Sequence, residues 1–234
     1  MNDCCILNGG SGSWAFEPLA QQLSNALELP ISAEPRRFNY LLSLEAVDDD
    51  FSSELFIPLS AIRTAADKRL MAAAFERHQV PTPHTALLDP FSEVIHFLTT
   101  HPNSEWCLKF PTGCGANGHR MVTATSSEPP NWPRPFILQE FIRLDRPEVY
   151  RVYCAGGELF GWAVRRFPEG REPSPWVAHA RGARYEFPGE IPPDALAAAE
   201  TALRATGLFD SFGCVDLLCR PLGEWMVLEV GTDG

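Results

Sequence analysis

The sequence predicts an α+β protein in which a short α/β lobe precedes a larger body of mainly antiparallel strands. Three observations lead there. The chain opens strand–helix–strand, as a small α/β unit does. Its middle and end hold apolar runs in pairs, several of them joined by glycine-bearing turns, the pattern of hairpins. Helical periodicity is confined to a few segments between those strands.

Residues 4–8 are an apolar run ahead of Gly9-Gly10-Ser11-Gly12-Ser13, which reads as a first strand and a glycine-rich turn. Such a turn either cradles a phosphate or simply serves the chain reversal. Trp14, Leu19, Leu23 and Leu27 recur at helical spacing, so a helix follows over residues 14–28 and stops at Pro30. Residues 38–44 and 54–57 read as strands around a solvated Asp48-Asp49-Asp50 loop. Thr64 and Asp67 resemble a capping box, with Asp in place of the usual Glu or Gln. They precede a helix over 65–78 whose apolar face is Leu70, Met71, Ala74 and Phe75, and Val80-Pro81-Thr82-Pro83 ends it. A helix over 91–100 follows Asp89-Pro90. Strands at 105–110 and 119–125 flank a glycine-rich stretch, 113–118, and a strongly apolar strand covers 136–142. Residues 149–154 and 158–165 form a hairpin about Gly156-Gly157. Residues 171–190, rich in Pro, Arg and Gly, read as irregular. Asp194 caps a helix over 195–206 that Gly207 closes, and 212–219 with 224–230 form a last hairpin about Leu222-Gly223.

Composition narrows the function. At 234 residues, 45% hydrophobic and 21% charged, the chain suits a soluble protein with a substantial core. A net charge of -11 repels nucleic acid and anionic membrane alike. The N-terminus lacks a cationic segment before an apolar run, and no membrane-length apolar stretch occurs. The expectation is a cytoplasmic protein with neither nucleic-acid nor membrane partner. Seven cysteines, an odd number in mostly apolar contexts, read as reduced thiols. Cys214 and Cys219 share one strand at an odd spacing, which points them to opposite faces and argues against zinc.

Four ionisable residues stand where apolar ones belong. Lys109 lies between Leu108 and Phe110, and Glu140 follows Phe136-Ile137-Leu138. Asp216 sits in Val215-Asp216-Leu217, and Glu229 in Leu228-Glu229-Val230. Burying such charges is costly unless each finds a partner. Each alone could be a sheet residue facing solvent; four in four apolar strands point to a shared site. Asp216 and Glu229 occupy the two arms of one hairpin, so they can face each other. Two carboxylates held together call for a proton or a cation between them, and oxygen ligands favour a hard cation such as Mg2+.

In this order the chain resembles the ATP-grasp superfamily, particularly its glutathione-synthetase-like and ribosomal-protein-S6-modifying ligase branch. The resemblance runs from about Thr64 to the C-terminus. It is carried by Ala66-Asp67-Lys68, by Leu108-Lys109-Phe110-Pro111 before the glycine-rich stretch, by Leu138-Gln139-Glu140-Phe141-Ile142, by Glu148, by Phe212-Gly213-Cys214-Val215-Asp216, and by Val227-Leu228-Glu229-Val230. It implies an ATP-grasp fold of two α+β lobes, residues 61–135 with a glycine-rich flap and 136–234 with a metal-binding hairpin, preceded by a short α/β lobe, residues 1–60. It implies ATP and Mg2+ as cofactors. Lys68 and Lys109 would contact the phosphates, with backbone N–H groups of the flap, Gly115 among them, above. Gln139, Glu140, Phe141 and Ile142 would hold adenine, Glu140 accepting from its amino group, and Glu148 the ribose. Asp216 and Glu229 would bind the metal. Arg165 or Arg151 would grip the substrate carboxylate or its acylphosphate; Arg165 and Arg166 are adjacent, so only one can face the site. Arg181 is a weaker candidate for the acceptor side.

The implied activity joins a carboxylate to an amine or thiol through an acylphosphate, on an amino acid, peptide or small metabolite. Many relatives dimerise, so a homodimer fits, although the sequence marks no interface. Three departures favour an alternative, a nucleotide-binding module without turnover. Gly231 replaces the family's metal-site asparagine, with Asp233 a conceivable substitute. The chain ends five residues after Glu229, where relatives usually continue. The N-terminal lobe is short.

Overall fold

Parallel pairing sets the first part of the chain apart from the rest. The computed structural model describes residues 3–8, 16–42, 44, 47, 51–113, 118–170 and 174–232, in two units, Met1–Leu59 and Ser60–Gly234. The first contains β1 (Cys4–Leu7), α1 (Phe16–Leu27), β2 (Ile31–Ser32), β3 (Phe38–Leu41) and β4 (Glu54–Leu55). Its sheet runs β2-β1-β3-β4, every pair parallel. The central β1 buries Cys5, Ile6 and Leu7 completely, as a parallel strand between two others does. Asn39 is buried beside it, its amide donating to the carbonyls of Arg36 and Glu54. Of the residues expected to form the α1 face, Leu27 is about half exposed, and Ala20, which was not among them, is buried instead. The glycine turn, Trp14 and the triple-aspartate loop lie outside the described residues.

The second unit begins at Ser60, one residue into α2 (Leu59–Ala66), and goes on to α3 (Lys68–Arg77), where one helix over 65–78 was expected. The break is Asp67. Its backbone is extended, and its carboxylate accepts from the Arg69 N–H and side chain, so it caps α3 directly. Thr64 lies inside α2 and donates to the Ser60 carbonyl, so no capping box forms. Met71, Ala74 and Phe75 are buried, while Leu70, on the flank of that stripe, stays half exposed.

Then come β5 (Thr85–Leu88), α4 (Phe91–Thr100), β6 (Trp106–Lys109), β7 (Arg120–Val122) and β8 (Phe136–Glu140). They build an antiparallel sheet in the order β5-β8-β6-β7. The strand over 136–140 therefore belongs with the residues before it, because it pairs with β5 and β6; the expected boundary between 135 and 136 precedes this strand instead of following it. Phe136, Leu138, Trp106 and Leu108 pack on Phe91, Val94 and Leu98 of α4. Alternation then turns Cys107, Lys109, Ile137 and Gln139 to the other face.

The last part holds β9 (Glu148–Ala155), β10 (Glu158–Arg166), a single 3-10 turn (His179–Arg181), β11 (Arg184–Glu186), α5 (Pro193–Thr206), β12 (Phe212–Cys219) and β13 (Trp225–Gly231). Its antiparallel sheet runs β11-β10-β9-β12-β13. The expected irregular segment thus contributes an edge strand. Pro192, not Asp194, is the N-cap of α5, and Pro193 starts the helix where its missing N–H costs nothing. A Cβ on Gly213 would stand 2.8 Å from Leu203 of α5, so β12 lies close under that helix. Gly213, Val215 and Leu217 face α5, and Cys214 and Asp216 point away from it. No helix among the described residues is long and apolar enough to cross a membrane.

Candidate functional site

The faces of the two antiparallel sheets that bear charge look onto one cleft of about 170 Å³. From the first sheet come Lys109, Gln139 and, at the end of β8, Glu140; from the second Glu148 at the start of β9, Arg165, Asp216 and Glu229; and from the connection between them Phe141 and Ile142.

Lys109 is 8% exposed, and its Nζ has one hydrogen-bond acceptor among the described residues, the Leu228 carbonyl at a long 3.4 Å. Burial pushes its pKa below the ordinary lysine value, against the opposing pull of Glu229. An ammonium carries three donors, so this one is short of acceptors and suited to an incoming anion. Lys68, the first residue of α3, donates from Nζ to the Gly113 carbonyl at 2.9 Å and lies 3.5 Å from Glu229. Its backbone N–H donates to Pro111, so the helix start is tied to the entry of the glycine-rich stretch. Lys68 lines an adjoining cavity of about 570 Å³ that shares Lys109, Gln139 and Leu228 with the cleft. Cys107, beside Lys109, is pushed up to about 11 by burial, which leaves it an inert thiol at neutral pH.

Asp216 and Glu229 are direct partners across the last hairpin, with a bulge just after Asp216. Asp216 is 3% exposed and clasped by two guanidiniums, from Arg151 on β9 at 2.7 and 3.1 Å and from Arg165 on β10. Burial raises the Asp216 pKa, but the two arginines outweigh it and hold the group below the usual carboxylate range. The neighbouring Arg166 turns the other way, to Glu148 and Glu186, as strand alternation requires. Asp216→Asn should therefore leave two buried guanidiniums without their counter-charge and cost about 3–5 kcal/mol of stability near pH 7. A depressed carboxylate contributes fully above its unfolded pKa of about 4 and loses that contribution as pH falls through its folded value. The stability gap between wild type and variant, read from denaturant melts, should shrink below about pH 4.

The carboxylate of Glu140 accepts from Arg220 at 2.8 Å, and its backbone N–H donates to His84. The carboxylate expected to accept from adenine is thus paired with Arg220 through one of its oxygens. Glu148 accepts from the Tyr150 hydroxyl at 2.7 Å. Burial and that bond push Tyr150 up to about 12. Gly115 and Asp233 lie outside the described residues.

No family model matches the sequence, and no curated protein matches it. Solved structures do. D-cycloserine synthetase DcsG superposes with a TM-score of 0.69 at 18% identity, over 98% of this chain and 91% of that one. The chain has the ATP-grasp fold. The ATP-grasp ligase PsnB, solved with a minimal precursor, Mg and ADP, gives 0.66 at 14% identity over 99% and 89%. A RimK domain ATP-grasp protein from Sphaerobacter thermophilus gives 0.65 at 16% over 97% and 89%.

Of the residues the ATP-grasp resemblance singled out, Arg151 stands outside the cleft lining and reaches it through Asp216, and Lys68 lines the adjoining cavity. Sequence reasoning missed Trp176 and His119, which also line the cleft; the Trp176 ring meets Phe141 and His119 edge-on at 5.1 and 5.5 Å. A tryptophan within a proline-rich irregular segment was the available signal. The role of Arg220 at Glu140 carried none, since the two are 80 residues apart.

Proposed function

We propose that this protein is an ATP- and Mg2+-dependent ligase that joins a carboxylate to an amine or thiol through an acylphosphate. The observation that carries the reading is Lys109: an ammonium buried in the cleft, short of acceptors among the described residues, on the strand that leads to a glycine-rich stretch. A phosphate group satisfies it. Lys68, 3.5 Å from Glu229, would add a second positive charge.

The metal is consistent with the donor set. The described residues hold no cluster of three or more His, Cys, Asp or Glu, and Mg2+ characteristically uses one or two carboxylates with substrate phosphates. Glu229 has an accessible carboxylate, and Asp216 retains lone pairs beyond those its arginines use. These two residues would hold Mg2+, which would neutralise triphosphate charge. The chain's own part is positioning. Lys68 and Lys109 would orient the phosphates, Phe141 and Ile142 the base, and Arg165 the acid, a division in which alignment and charge neutralisation supply the rate. The carboxylate oxygen would attack the γ-phosphorus, ADP would leave, and the amine would displace phosphate from the acylphosphate.

The test is ADP release on adding panels of carboxylic acids with hydroxylamine, which traps an acylphosphate as a hydroxamate. Acid-dependent ADP release with hydroxamate formation is expected. ATP binding without either product would favour a second reading, a nucleotide-binding module without turnover. That alternative draws on Asp216, whose oxygens are both engaged by arginine, and on Gly231, which supplies no side-chain ligand. A homodimer and a cytoplasmic location remain parts of this proposal.

A further inference from the structure

The ligase reading leaves open which acid the site accepts, and the sheet face beyond Asp216 bears on it; the inference rests on that reading. Register places Arg151 opposite Asp216 and Tyr153 opposite Cys214, so all four share one face. Arg165 stands on that face too, opposite Tyr185 of the edge strand β11. Past the arginines the face turns aromatic. The Tyr185 ring lies 5.6 Å from the Arg165 guanidinium carbon and stacks on His179 at 6.2 Å. Tyr153 stacks on Phe160 at 6.1 Å. The bulge between Leu159 and Gly161 frees Phe160 from pairing and leaves it 62% exposed. Phe187, just beyond the end of β11, is 94% exposed.

One exposed ring needs no explanation. A run of them along one face, beginning at a buried charge cluster, marks a binding surface. Among the described residues that cluster sets the Arg151 and Arg165 guanidiniums against the carboxylate of Asp216, a net positive charge. Arg165 is 8% exposed, and its Nε has no hydrogen-bond partner among the described residues. The complement is an anion with an apolar, ring-bearing body.

We propose that the carboxylate donor carries an aromatic group, its carboxylate at the Arg165 end and its ring against Tyr153, Phe160, Tyr185 and Phe187. Calorimetric binding of 3-phenylpropionate and propionate to the full chain, with and without Mg2+ and a non-hydrolysable ATP analogue, tests this. The two probes share their charge and differ in the ring. The aromatic acid should bind at least about tenfold tighter, the increment that burying a ring between aromatic neighbours supplies. In the doubly substituted Phe160→Ser, Phe187→Ser chain that preference should fall to within about threefold of none, with an unchanged thermal midpoint because both side chains are mostly exposed. Equal affinities, no binding of 3-phenylpropionate at millimolar concentration, or a preference untouched by the substitutions would overturn the proposal. So would a variant that only converts a self-associated chain to monomer while keeping the preference, since the shelf would then be a subunit contact. Binding needs no turnover: aromatic preference without ADP release removes the ligase reading alone, and ADP release indifferent to the ring removes this inference alone.

Discussion

Replacing Lys109 with methionine should stabilise the nucleotide-free protein while weakening ATP binding roughly 10- to 100-fold. The two effects share one cause. A buried ammonium with one long acceptor among the described residues bears a desolvation cost that methionine, similar in length and apolar, does not. The expected gain is about 1–3 kcal/mol near neutral pH. Because the folded-state pKa of Lys109 is lowered, the wild-type chain should gain stability as pH climbs through that value toward the ordinary lysine pKa of about 10.4, and the advantage of the variant should narrow there. Thermal midpoints and calorimetric Kd values, measured on the same preparations, check both halves. A variant that is less stable and binds ATP as tightly as wild type would show that Lys109 is a structural ion-pair residue.

Glu229→Gln should reduce turnover by about 100-fold or more, on the scale seen when one preorganised electrostatic contact to a reacting group is removed. The fold should survive. Glu229 is a third exposed and its pairing with Lys68 is loose at 3.5 Å, so its charge adds little to stability. The substitution keeps the volume and most of the hydrogen-bonding shape, and removes the negative charge that a hard cation needs. Nucleotide affinity should fall when Mg2+ is present and change little in its absence. Full activity in this variant would mean that the last hairpin does not hold the metal.

Much of this site was legible because it violates the pattern around it. Lys109, Asp216 and Glu229 interrupt apolar strands, and the last hairpin allowed the two carboxylates to face each other, as its register has them. Helix α4, bounded by Asp89-Pro90 and a fading apolar period, falls where the pattern put it. Elsewhere local signals were too weak. Strand β5 is four residues, Thr85–Leu88, with no alternation to separate it from a loop. Strand β11 exists through its pairing with β10, a tertiary effect that its own exposed side chains do not announce. The Asp67 break was hidden because Thr64 offered a competing cap. The choice between Arg151 and Arg165 could not be made from sequence, and the geometry gives the reason: both reach the same carboxylate from neighbouring strands. Trp176 and His119 reach the cleft from distant segments through packing, which periodicity does not encode.

Central to the account is that these charges form a site completed by a magnesium nucleotide, with too few carboxylates among the described residues to retain the metal alone. Isothermal titration of the full chain with ATP, with Mg2+, and with both tests this directly. The account predicts saturable ATP binding that Mg2+ strengthens, no comparable uptake of Mg2+ alone, and loss of affinity in the Lys109→Met chain. An absence of ATP binding at millimolar concentration with Mg2+ present would contradict it.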